Sequence, residues 1–157
     1  MTQKKRTAAK LASLVAVAVG MTASAVCQSG DPIPEIANSH IEANVPEGKL
    51  FGEYLSRDLQ SYFCQSATGS CRVEYELLRQ GPTQTGISYP KYYLWARCFK
   101  SGNLAGEGAL QVEAVDQQLF RVTHFLSRQD IVRSPSEVAP IFPAPLVNRI
   151  LTKARGK

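Results

Sequence analysis

The 157-residue chain is poor in the residue patterns that most chemistry needs. It has two histidines, far apart at His40 and His124, and no CxxC or HxxxH spacing, which argues against a zinc-type metal site. No glycine-rich phosphate loop, Ser/His/Asp signature or nucleic-acid motif occurs, so nucleotide transfer, triad hydrolysis and base readout lose their usual marks. No uncharged apolar run reaches the roughly 20 residues of a bilayer span. Charged residues make up 20% of the chain, and the formal net charge of +5 is unevenly placed.

That unevenness begins at the N-terminus. Lys4, Lys5, Arg6 and Lys10 precede the apolar run Leu11–Val19, and Ala23-Ser24-Ala25 follows as a small-x-small cleavage pattern. Residues 1–25 therefore read as an export signal cut after Ala25, giving a periplasmic or secreted bacterial product. An uncleaved anchor is the alternative, weakened by the short run and by Gly20, Thr22 and Ser24. Lipidation at Cys27 is another, against which stands Val26, where a small residue normally precedes the cysteine. Contact with a membrane is expected only in that lipidated form.

All four charges ahead of residue 26 are basic, leaving 14 basic against 13 acidic groups beyond it. The high pI belongs to the signal, and nucleic acid is not an expected partner. Residues 128–157 remain basic, with six Lys/Arg against Asp130 and Glu137. Such a tail suits anionic lipid, cell-wall polymer or an acidic partner, or simply cations complementing a helix C-terminus.

Four cysteines in an exported chain suggest bridges. Cys64 and Cys71 flank a short loop that would staple a helix end to a strand start, and this pairing is preferred. Cys71 and Cys98 would face each other across paired strands in a second arrangement. Cys27 and Cys98 are then either bonded together or left as a lipidated and a buried thiol.

Residues 26–43, polar and bearing Pro32 and Pro34, read as a flexible N-terminal arm, and residues 44–157 as one domain. Asn44 and Glu47 resemble a capping box opening a helix to about Cys64, with Phe51, Leu55, Leu59, Tyr62 and Phe63 at helical spacing. The period then changes to alternation: Arg72–Leu77, Tyr89–Phe99, Gly108–Val115 and Leu119–Ser127 predict four strands joined by turns, an antiparallel meander. Ser134-Pro135-Ser136-Glu137 suggests another capped start, and a last helix begins near Pro145. The expected fold is α+β: an N-terminal amphipathic helix packed on a four-stranded antiparallel meander, with a short C-terminal helix.

Over residues 45–127 this element order resembles the cystatin-like and nuclear-transport-factor-2-like folds, in which a sheet wraps an N-terminal helix. Cystatins carry a Gln-x-Val-x-Gly inhibitory hairpin. Here Gln111-Val112-Glu113-Ala114-Val115 lies within a strand, so protease inhibition does not carry over.

Strict alternation puts His124 beside Phe120, Val122 and Leu126, facing the long helix, where it is a weak catalytic candidate requiring Asp58 or Glu113 as partner. Tyr89, Tyr93, Trp95 and Arg97 share the opposite face of the second strand. They form a candidate binding strip if open, or core if Ile141, Phe142 and Leu146 cover it. Neither a metal nor a cofactor is implied. The expected function is a small exported binding module without evident catalytic machinery, holding a protein or small ligand of the cell envelope by its sheet face or cone mouth. The alternatives are an enzyme or hydrophobic-ligand carrier using a helix–sheet cavity near His124, and a lipid-anchored component of a larger apparatus.

Overall fold

A computed structural model describes residues 32–65 and 69–156 of the chain. The expected signal, Cys27 and the cleavage site lie outside the described residues. Alternation in the middle of the sequence produces four strands, β1 (Cys71–Leu77), β2 (Lys91–Lys100), β3 (Asn103–Val115) and β4 (Leu119–Ser127). They pair in sequence order as one antiparallel sheet. A two-residue turn, Ser101 and Gly102 at positive φ, joins β2 to β3, the backbone hand that matches strand twist.

The helix expected to end near Cys64 is α2 (Gly48–Cys64), and it covers one face of the sheet. Leu55 and Leu59 are fully buried there with Leu94, Leu110, Val112 and Phe120, and Phe51 packs edge-on against Tyr92 and Phe120. Val73, Tyr75 and Leu77 turn the same way from β1, as alternation requires. Cys64 is disulfide-bonded to Cys71, the preferred pairing, so the end of α2 is tied to the start of β1. Such a bond belongs to oxidising compartments. Among the described residues no helix is long and apolar enough to cross a membrane.

The other face is covered too. The C-terminal helix α4 (Ala144–Ala154) turns Leu146, Ile150 and Ala154, spaced by four residues, onto Tyr93, Trp95 and Ala109. Burying a side chain such as Ile150 contributes about 2 kcal/mol. Arg149 donates to the Leu78 carbonyl at 2.6 Å, and Lys153 pairs with Glu76 at 2.9 Å. Part of the basic tail is thus answered by acids of the same domain, with Arg128 on Glu107 at 2.7 Å as a further case.

Three local readings need correction. Residues 32–43, expected within the arm, fall in a helix, α1 (Pro32–Asn44). Pro32 and Pro34 fall in its first turn, where a missing N–H costs nothing, and no breaker follows. Asn44 ends this helix instead of capping the next: its side chain bonds the His40 carbonyl and the Asp116 amide. Together with the bond from the Gln117 amide to the Asn44 carbonyl, this holds the β3–β4 turn, where Asp116 and Gln117 both take positive φ. Ser134–Glu137 yields one 3-10 turn, Pro135–Glu137, while the helix forms earlier, as α3 (Arg128–Arg133), capped by the Ser127 hydroxyl on the Asp130 amide.

Candidate functional site: a polar recess on the C-terminal face

β4 does not alternate strictly. Val112 of β3 lies opposite Val122, but Gln111 lies opposite His124, so β4 spends an extra residue, Thr123, on the step. This bulge reverses the phase of everything after it. Phe120 and Val122 face α2, and so does Phe125. His124 faces away from α2, toward the α4 side, and Leu126 packs there. The expected His124 beside the long helix is therefore overturned, and the space it would have shared is filled by Phe51, Leu55, Leu59 and Phe120.

On its actual face His124 completes a polar row across three strands. Tyr93 lies opposite Gln111, and Gln111 opposite His124. Gln111 is 5% exposed, and every polar atom of its side chain is engaged. Its Nε2 donates to the Ile141 carbonyl at 3.2 Å, which fixes the amide's orientation. Oε1 then accepts from Thr123 Oγ1 and meets His124 Nδ1, each at 2.9 Å. A carbonyl-type oxygen at Nδ1 requires the proton there, so neutral His124 keeps its Nε2 lone pair free. At the other end of the row Tyr93 Oη and Thr83 Oγ1 share a hydrogen bond of 2.8 Å.

These groups floor a recess of about 400 Å³. The loop residues Thr83, Thr85 and Ser88 form one wall, and the strap Pro140–Pro143 forms another. Lys91 stands at the rim, with its ammonium 4.0 Å from Glu113. Glu113 is held more closely by Arg121, at 2.8 Å, and that hydrogen bond raises the Arg121 pKa further above its ordinary value. Among the described residues lining the recess there is no Asp or Glu.

The expected sites scatter. Tyr93 and Trp95 are each 4% exposed beneath α4 and Phe142, so the strip is core, not an open surface. Tyr89 is 38% exposed, its ring 5.7 Å from the Arg121 guanidinium, and it does not line the recess. Arg97 is exposed and pairs with Glu74 at 3.2 Å, away from the recess. Neither carboxylate suggested for His124 reaches it: Asp58 accepts from the Phe120 amide and Arg57, and Glu113 is engaged by Arg121. Cys98 is a buried free thiol. Among the described residues no three His, Cys, Asp or Glu side chains gather as metal ligands.

A wider groove, about 930 Å³, runs between the start of β3 and α3, with Leu104 and Val132 exposed along it. Its Arg128 is already bonded to Glu107 and to the Ala154 carbonyl. The recess combines a buried, oriented amide with a histidine and a lysine head. Comparison of the chain with protein-family models, curated proteins and solved structures returned no match to any of them.

Proposed function

We propose that this chain is an exported binding module and that the recess over Tyr93, Gln111 and His124 is where it binds. The observation that carries the reading is the buried Gln111 amide, locked by the Ile141 carbonyl and presenting His124 in one orientation. A pre-formed cleft with a few convergent polar groups on an apolar framework is the usual form of a small-ligand site. Both broad faces of the sheet are covered by helices, which favours the recess over a sheet face as the binding surface. The domain belongs, on this reading, to the cystatin-like superfold, with α2 cradled by the meander and α4 as an added outer layer. Export is supported by the basic and apolar N-terminal sequence and by the Cys64–Cys71 bond. His124 lacks the carboxylate that would make it a strong acid–base group, which favours binding over turnover.

A thermal-shift and calorimetric screen of small polar compounds tests this, run on wild type and on His124→Ala. The expected result is saturable binding by wild type, weakened in the variant, with each compound recovered unchanged. Turnover lost on His124→Ala would sink the non-enzymatic reading. Equal affinity for both proteins would move the site elsewhere.

A further inference from the structure

We infer that the ligand of this recess is a small hydroxylated carboxylate, selected by Lys91 and His124; the inference rests on the binding reading above. The charge census points to an anion, because the described lining holds Lys91 and His124 and no acid. Glu113 is the neighbouring acid, and its short ion pair is with Arg121, not Lys91. At 4.0 Å from Glu113 the Lys91 ammonium stands at the edge of ion-pair distance, leaving its three donors open to a ligand oxygen.

The number of cations selects among anions. Phosphate and sulfate are best met by several cations, forked guanidinium groups or a helix N-terminus. The Arg121 fork is committed to Glu113, and the recess offers one ammonium. A single carboxylate matches that supply.

The second half of the specificity comes from His124. Its Nδ1 proton is held by Gln111, so the Nε2 of the neutral ring accepts a hydrogen bond, as from a ligand hydroxyl. Lys91 lies two residues before Tyr93, roughly 7 Å along β2, and His124 lies two strands across, on the order of 10 Å away. A ligand bridging them therefore carries its carboxylate and a hydroxyl on different carbons. Its carbon skeleton would lie against Pro140, Ile141 and Pro143. Sugar acids and cyclic polyhydroxy acids have this form.

The test is calorimetry on the protein with its disulfide intact, using glucuronate, gluconate and quinate against glucose, inositol and inorganic phosphate. The acids should bind, and the neutral compounds and phosphate should bind at least tenfold more weakly. Lys91→Met should weaken the acids about tenfold or more, the loss of one charge-assisted hydrogen bond, while Lys91→Arg retains most of the affinity. An unchanged amide spectrum for Lys91→Met assigns its effect to charge. Neutral compounds binding as well as the acids, or phosphate binding best, would overturn the carboxylate inference and leave the binding reading standing. No binding by any of the six, with hits from the broader polar screen, would do the same. An empty broader screen would defeat both.

Discussion

Replacing Gln111 by leucine removes the group on which the recess depends while nearly keeping its volume. Three interactions go: the bond to the Ile141 carbonyl, the bond from Thr123 Oγ1, and the contact with His124 Nδ1. Thr123 keeps its second acceptor, the Gln111 backbone carbonyl at 3.1 Å, and His124 is exposed, so water replaces what these two lose. The Ile141 carbonyl is left with the unmade bond. One neutral hydrogen bond lost, plus part of one desolvation penalty, comes to about 2 kcal/mol. Against this, leucine gains some apolar burial beside Tyr93 and Phe142, so the net loss should lie between roughly 1 and 2 kcal/mol. Guanidinium unfolding monitored by Trp95 fluorescence measures it. The sharper readout is the histidine itself. Long-range proton–nitrogen spectra of the neutral imidazole in wild type should show His124 protonated on Nδ1. In Gln111→Leu that preference should disappear. A wild-type ring carrying its proton on Nε2, or a variant with unchanged tautomer, would refute the reasoning.

Other expectations follow from the same packing. A Cβ on Gly108 would overlap the Leu126 carbonyl oxygen and lie 2.9 Å from Ser127 Cα, both backbone atoms of the paired strand. Gly108→Ala should therefore cost about 3 kcal/mol, on the order of 10 °C in Tm, whereas Gly106→Ala, with open space, should cost under about 1 kcal/mol. Burial pushes the Tyr92 phenol up to about 12, from its ordinary 10.0. The unfolded chain releases that proton near pH 10 and the folded chain holds it, so stability is full below about pH 10 and falls by roughly 2–3 kcal/mol toward pH 12. Tyr92→Phe should flatten that decline in alkaline urea titrations. Breaking the disulfide with Cys64→Ser and Cys71→Ser together opens a loop of sequence separation 7, and unfolding free energy should drop by about 2–3 kcal/mol.

Much of the fold was legible because its signals are local. Leu55 and Leu59 mark α2 by spacing, and Val73, Tyr75 and Leu77 mark β1 by alternation. The Cys64–Cys71 loop was short enough to suggest its own closure. What was illegible depends on contacts distant in sequence. A bulge at Thr123 cannot be read from β4 alone, because only its pairing with β3 shows that two residues oppose Gln111. That one residue moved His124 to the other face and made strict alternation misleading from there on. The burial of Tyr93 and Trp95 needed α4, some fifty residues later, which composition could suggest but not dock. Gln111 carried a faint signal: a neutral amide on an inward strand face between Ala109 and Glu113. Ser127 followed by Asp130 likewise marked α3, and was hidden by the strand pattern running into it.

The central claim is that the recess is the binding site, and amide chemical-shift mapping tests it most directly. The protein, disulfide intact, would be titrated with the tightest-binding compound of the polar screen. The account predicts one contiguous set of saturating shifts at Lys91, Tyr93, Gln111, His124 and residues 140–143. Shifts gathered instead along the groove of Leu104 and Val132, with the recess silent, would contradict it.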